Sequence, residues 1–387
     1  MGISLTAREI LEKLVSFNTV SDRSNLPLVE WVETYLNSHG VEAFRVYDET
    51  GEKASLFANV GPKVAGGVIL SGHTDVVPVA GQAWHTDPFE VVEKDGKLYG
   101  RGTADMKGFD ALALWAVPHA LAAGIKRPLQ IALSYDEEIG CIGAPPMIAA
   151  MASLPKAQAA IIGEPSSMKT VTSHKGGIGF KIHVRGFEVH SSLIHRGVSA
   201  IMFGADLIQW ASAVNAKHAE TEPSPLAAEF DPPYTTAHVG KISGGTAHNI
   251  TAKDCYFDIS FRVVPGETTG MWEERLRAKV SEIEAEMQAI HSETGIDISP
   301  DFGVPPLAPE VNGAAETLVR TLTGDNATHA VSYATEAGQF QEGGHSAVVC
   351  GPGDIAQAHQ PNEFLEIRQL EAGEAFMRRL ITHLAQD

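Results

Sequence analysis

Several things are scarce in this chain. Its 387 residues include only three cysteines, Cys141, Cys255 and Cys350, an odd number with no Cys-x-x-Cys spacing. That excludes a disulfide framework or a cysteine-built zinc site and fits reduced thiols in a cytoplasm. No apolar run reaches the roughly 18–20 residues of a bilayer span. The longest, residues 111–125, contains Pro118 and His119 and reads as a buried helix. Positive charge is short as well: 29 Lys and Arg stand against 48 Asp and Glu, a net charge of −19. Such a surface repels phosphate backbones and anionic lipid, so neither nucleic-acid nor membrane partners are expected, whereas a metal ion or a cationic small molecule is tolerated. There is no Gly-x-Ser-x-Gly to suggest a serine nucleophile.

Arg8, Glu9, Glu12 and Lys13 stand where a signal peptide would be apolar, so export is not expected and a cytoplasmic location is. The first six residues formally match an N-myristoylation pattern. The plainer reading is a capping box, Thr6 with Glu9, opening a helix that carries Ile10, Leu14 and Val15. Apolar residues make up 44% and charged residues 20%, the balance of an ordinary globular chain long enough for two or three domains.

The first 165 residues alternate helical and strand-like segments. Leu28, Val29, Val32 and Leu36 recur at helical spacing before Gly40, and residues 106–123 make another helix. Short apolar runs lie at 56–60, 68–70, 129–133 and 159–162. This is the texture of an α/β domain, a mostly parallel sheet with helices on both faces. It changes after Lys175. Residues 179–185 alternate like a half-wet strand, 199–214 form a helix and 254–264 a strand. Residues 271–290 form a helix with Trp272, Leu276, Val280, Ile283, Met287 and Ile290 on one stripe. A smaller α+β domain, 176–291, is thus expected as an insert in a discontinuous domain of 1–175 and 292–387. That domain ends with a strand at 347–350 and a helix from Glu371. Residues 219–233, rich in Glu and Pro, are the one long loop.

Four clusters follow apolar runs directly: His73 with Asp75; Asp105; Asp136-Glu137-Glu138; and Gly163-Glu164-Pro165. In open α/β sheets the site lies beyond the carboxyl ends of the strands, so these groups should converge. One Asp-Glu-Glu is ordinarily a solvated loop and one His-x-Asp a surface pair. Four such clusters at successive strand ends are a different matter, because several carboxylates gathered together repel one another without cations. A pair of metal ions resolves the repulsion.

These segments resemble the dinuclear zinc amidohydrolase family that includes deacetylases, desuccinylases, aminoacylase and carboxypeptidase G. The similarity is carried by Ser71-Gly-His-Thr-Asp-Val-Val-Pro78, Gly100-Arg-Gly-Thr-Ala-Asp-Met-Lys-Gly108, Asp136-Glu-Glu-Ile-Gly-Cys141, Gly163-Glu-Pro165, and Gly351-Pro-Gly353 through Ala358-His-Gln-Pro-Asn-Glu363. It implies one metal on His73, Asp105 and Glu164 and a second on Asp105, Glu138 and His359, with Asp105 bridging. Histidine and carboxylate ligands suit zinc, with cobalt as the alternative. Asp75 would orient His73, and Glu137 would be the general base for a metal-held hydroxide.

The inserted domain is implied to act as lid and dimerisation domain of a homodimer. Within it Gly186-Phe-Glu-Val-His190 resembles the block whose histidine reaches the partner subunit's site to stabilise the oxyanion. Gly244-Gly-Thr-Ala-His-Asn249 resembles the substrate loop and makes Asn249 a polar contact. Lys175 and Arg262 are candidates for a substrate carboxylate. Ser173-His-Lys-Gly-Gly177, Ala334-Thr-Glu-Ala-Gly-Gln-Phe340 and Cys350-Gly-Pro-Gly353 resemble the acetylornithine deacetylase branch, and Glu336 is compatible with a cationic ornithine side chain. Ile250-Thr-Ala-Lys253 departs from the Ile-Ile-Pro or Ile-Val-Pro expected after Asn249. The implied reaction is hydrolysis of N-acetyl-L-ornithine to ornithine and acetate. A desuccinylase, a broad N-acyl-amino-acid hydrolase or a metallo-exopeptidase would use the same machinery. A non-catalytic binding protein on the same scaffold should have lost a ligand or the base, and none is lost here.

Overall fold

The computed structural model describes residues 5–386. The chain divides into two compact units. The first comprises the residues up to 173 with 309–330 and those from 335 on; the second comprises 174–308 with 331–334.

A mixed eight-stranded sheet organises the first unit. Its order is Ala43–Tyr47, Ala54–Val60, Leu129–Ser134, Val68–His73, Ala159–Pro165, Ala347–Gly351, Val171–His174 and His329–Val331. The four central strands, Leu129–Ser134 to Ala347–Gly351, run parallel; Ala54–Val60 pairs antiparallel with the first of them, and Ala43–Tyr47 antiparallel with Ala54–Val60. The central strands are buried along their length, which is why their sequences read as unbroken apolar runs rather than alternations.

Helix Lys107–Ala123 is buried nearly all round and ends at Gly124, whose φ of 61° is the left-handed closure glycine permits. It lies so close to strand Ala159–Pro165 that a Cβ at Gly163 would fall 1.9 Å from the Phe109 ring. Helix Ala7–Val15 opens with the expected capping box, Thr6 and Glu9 satisfying each other's backbone N–H. The glycine of the myristoylation pattern lies outside the described residues. A three-stranded sheet of Val92–Lys94, Lys97–Tyr99 and Phe364–Glu366 is announced only by the short apolar pair Leu98-Tyr99. It joins the segment before Asp105 to the segment after His359.

The second unit is a four-stranded antiparallel sheet ordered Thr236–Gly244, Asp254–Val263, Gly176–Arg185, Gly295–Val304. Helices Ala200–Ala219 and Thr269–Ile290 pack on it. Phe180, Ile182, Val184, Phe257, Ile259 and Phe261 form its core with Leu207, Trp272, Leu276, Val280, Ile283 and Met287. Ile290, at the end of the expected stripe, is exposed. Residues 292–308 pack in this unit, beyond the boundary at 291 that the sequence texture suggests. The reason is strand Gly295–Val304, an edge strand with Asp297, Ser299, Pro300 and Asp301, whose register slips between Pro300 and Phe302. Its polar, irregular sequence hides it.

All three cysteines are free and buried. Among the described residues no helix is long and apolar enough to cross a membrane.

Candidate active site

The parallel strands bring the acidic clusters together. His73 ends strand Val68–His73, Glu164 lies in strand Ala159–Pro165, and Glu137 and Glu138 follow strand Leu129–Ser134. Asp105 immediately precedes helix Lys107–Ala123, and His359 follows strand Ala347–Gly351 with a left-handed φ of 60°. At the centre is Asp105. Its Oδ1 lies 3.1 Å from His73 Nε2 and its Oδ2 3.2 Å from His359 Nε2. Around His73 Nε2 stand Glu164 at 3.7 Å and Glu137 at 3.9 Å, while Glu138 lies 2.9 Å from His359 Nε2. His73, Glu137 and Glu164 form one group of donor atoms within 4.8 Å of one another, and His73, Asp105 and Glu138 a second.

Asp75 ties the cluster's parts to each other. His73 Nδ1 donates to the Asp75 carbonyl at 2.9 Å, which leaves Nε2 for a ligand. The Asp75 carboxylate accepts the backbone N–H groups of Glu137 (3.0 Å) and Glu138 (3.2 Å) and the Ser21 hydroxyl (2.7 Å). One residue therefore sets both the imidazole, through its carbonyl, and the Glu137-Glu138 turn, through its carboxylate. Cys141 Sγ sits 3.2 Å from Glu137 Oε1.

The electrostatics follow from this crowding. Burial lifts the Glu137 carboxyl to about 8, and Glu138 and Asp105 repel its charge further, against His73. Burial, then Asp105, lifts Glu138 to about 7, and the same two causes carry Glu164 well above the carboxylate range. The imidazoles rise because charge favours them. Hydrogen bonds to Asp105 and Glu138 bring His359 to about 10. For His73, burial acts against charge, but Asp105 and the neighbouring acids outweigh it. Asp105, buried yet bonded by both histidines, is held below the usual range. Four carboxylates sharing two imidazoles lack positive charge. Nitrogen and oxygen donors, with one carboxylate turning an oxygen to each histidine, fit two divalent cations.

The remaining expected residues have partners of their own, Glu336 close enough to Glu137 to repel its charge. Glu336 is buried in the first unit and accepts the hydroxyls of Ser134 and, at 3.4 Å, Ser71. Burial raises it to about 7. It is satisfied by the sheet rather than open to a cationic side chain. Lys175, in the second unit, is also buried, its ammonium donating to the Pro232 (2.7 Å) and Tyr234 (3.1 Å) carbonyls. That ammonium fastens the end of the 219–233 loop instead of standing free for a carboxylate. His190 and Asn249 meet in the same unit: His190 bridges Ile250, and Ser191 N–H donates to the Asn249 carbonyl at 2.9 Å. His190 Nδ1 lies 2.8 Å from Ser192 Oγ. Both residues are exposed, as is Arg262 on strand Asp254–Val263. Sequence reading misses Ser21, Arg101, Gln82 and the supporting part of Glu363, whose partners are remote in the chain.

A set of buried donors beyond parallel strand ends is what a metal-dependent hydrolase requires, and comparison with known proteins places the chain in that class. It belongs to Peptidase family M20/M25/M40, whose model matches residues 69–383. An acetylornithine deacetylase of Myxococcus xanthus is 35% identical over 388 residues, covering 97% of each chain. Among solved structures, an M20 family metallo-carboxypeptidase of Sulfolobus solfataricus superposes with a TM-score of 0.77 at 16% identity, covering 98% of this chain and 99% of the other. A dinuclear metal-binding M20 peptidase of Bacillus subtilis does so at 0.63 and 12% identity, covering 98% of both.

Proposed function

We propose that this protein hydrolyses the amide bond of N-acetyl-L-ornithine to L-ornithine and acetate, a step of arginine biosynthesis, in the cytoplasm. The observation that carries the chemistry is Asp105, whose two oxygens face His73 and His359 separately. His73, Asp105 and Glu164 would hold one ion, and Asp105, Glu138 and His359 the other. Two divalent ions there, zinc or cobalt, would supply Lewis acidity that polarises the amide carbonyl and acidifies water.

The chain's own residues do the rest. Asp75 fixes the His73 tautomer and the backbone of Glu137 and Glu138 together. Glu137 takes the proton of the attacking water on its carboxylate and delivers it to the leaving amine nitrogen. We read the second unit as an inserted lid and dimerisation domain. Its edge strand Thr236–Gly244, with exposed Ile242, and the exposed Ile201 and Met202 of the adjoining helix offer an apolar surface for a second copy. Through that dimer His190 would donate to the developing oxyanion of the partner's site. Asn249 and Arg262 are the polar groups proposed for the substrate's amino-acid end.

Support for acetylornithine comes from the relative named above and from the Ser173–Gly177 and Ala334–Phe340 segments. The test is a panel of N-acetyl-L-ornithine, N-succinyl-diaminopimelate, N-acetylmethionine and a dipeptide, assayed with and without added zinc. Acetylornithine should lead in kcat/KM, and turnover should vanish with chelator. Leadership by another substrate would replace the acyl amino acid named here and leave the chemistry. No turnover of any of them by metal-loaded protein would reject the hydrolase reading.

A further inference from the structure

The Glu363 carboxylate accepts four hydrogen bonds, yet it is not among the groups placed to hold a metal. It is buried to 1% exposure. Oε1 accepts the backbone N–H groups of Ala104 (2.9 Å) and Asp105 (3.0 Å). Oε2 accepts Gly102 N–H (2.9 Å) and Arg101 Nη1 (2.7 Å). Three amides of one turn, those of Gly102, Ala104 and Asp105, and a guanidinium thus form an anion cradle, and the chain fills it with its own side chain. The Glu363 carbonyl closes the same loop by accepting Gly100 N–H at 3.0 Å.

The other half of the circuit reaches His359. Arg101 Nη1 also donates to the Gln360 carbonyl (3.3 Å), and Nη2 donates to Gln82 Oε1 (2.6 Å). Gln82 Nε2 in turn donates to the His359 carbonyl at 2.9 Å. The backbone of Asp105 and the backbone of His359 are therefore held by one buried ion pair. His359 needs such support, since its left-handed φ is unfavourable for a residue with a Cβ and its side chain is 53% exposed. A buried Arg–Glu pair is weak support for stability alone, because desolvation offsets most of its attraction. Here the side-chain hydrogen bonds of the pair reach the two segments that present Asp105 and His359, directly or through Gln82.

We propose that Glu363, with Arg101, is a positioning residue that sets the spacing of Asp105 and His359 and so creates the second metal position. This rests on the two-metal reading above. Glutamine at 363 keeps the size but turns an N–H₂ toward the amides, so at least one loses its acceptor.

The experiment titrates chelator-treated protein with cobalt(II), following calorimetry and the visible absorption of the bound ion. Wild type should take two equivalents; failure to do so would reject the two-metal reading itself, whatever Glu363 does. Glu363→Gln should keep the first equivalent and bind the second 10- to 100-fold more weakly, with an altered visible spectrum. Its kcat should fall by a similar factor while KM moves less than about threefold. Glu363→Asp, which retains the charge but is one methylene shorter, should lie between. Two equivalents bound at wild-type affinity with an unchanged spectrum in both variants would overturn the proposal. So would failure of both variants to fold, since Glu363 would then serve the fold and not the site.

Discussion

Exposed His359 apart, the two units hold their chemistry-bearing side chains under opposite conditions. In the first unit the His73, Asp105, Glu138 and Glu164 side chains are buried and crowd one another, and burial together with the neighbouring charges displaces the charge preference of each. In the second, His190, Asn249 and Arg262 are exposed and rest on an ordinary sheet and loop. A buried group must be satisfied within the structure, so its unmet electrostatic need points to the missing cation. An exposed group is satisfied by water whatever its role. Its function becomes legible only through what it meets.

The largest break in this comparison should come from Glu137→Gln. It removes the proposed proton carrier while keeping its shape, and kcat should fall by about 10²- to 10⁴-fold with metal content unchanged. Loss of metal together with activity would instead make Glu137 a ligand, as its closeness to His73 and Glu164 also allows. In the second unit His190→Ala should lower kcat about 10²- to 10³-fold, the measured weight of an oxyanion donor, with no change in metal content. Mixed dimers of His190→Ala and Glu137→Ala chains should regain activity if the histidine works across subunits. Confirmed heterodimers that stay inactive would remove the cross-subunit role.

A pH series sharpens the electrostatic side. Without cations Glu137 titrates near 8 and Glu138 near 7, above their ordinary 4.5. The folded state then binds more protons than the unfolded chain from about pH 4.5 to 8, so stability falls as pH rises through that window. His359, raised to about 10, acts in the same sense: its contribution is whole below about 6.5 and is lost as pH passes 10. Bound cations displace these protons. The gap in Tm between metal-loaded and chelator-treated protein should therefore widen from about pH 6 to about pH 8, and a gap that narrows would contradict the cation reading. The smallest effect belongs to Thr6→Ala, which removes a helix cap remote from the cluster. It should cost about 1 kcal/mol in denaturant unfolding and leave kcat unchanged.

Legibility in the sequence divides along similar lines. The buried parallel strands read as apolar runs, and the groups at their ends could be gathered because that topology sends strand ends to one edge. The edge strand Gly295–Val304 could not be read, nor that Leu98-Tyr99 belongs to a separate small sheet. Polar edge strands lack the pattern that burial imposes on central ones. Glu336 and Lys175 were legible as charged residues in suggestive places, but their burial against Ser71 and Ser134, or against the Pro232 and Tyr234 carbonyls, was not. Which atom a long side chain satisfies depends on what the fold brings beside it.

The sequence by itself determined the class of fold, the residue types of the metal cluster and their order along the chain, because local apolar patterning and short motifs are properties of neighbours in sequence. Only the tertiary structure decided that Asp105 turns one oxygen to each histidine. It alone shows that Asp75 aligns the Glu137-Glu138 turn and that Glu363 holds the Asp105 loop. These pairings span from 32 to 262 positions of chain. No spacing rule reaches that far, and burial then makes each such hydrogen bond obligatory.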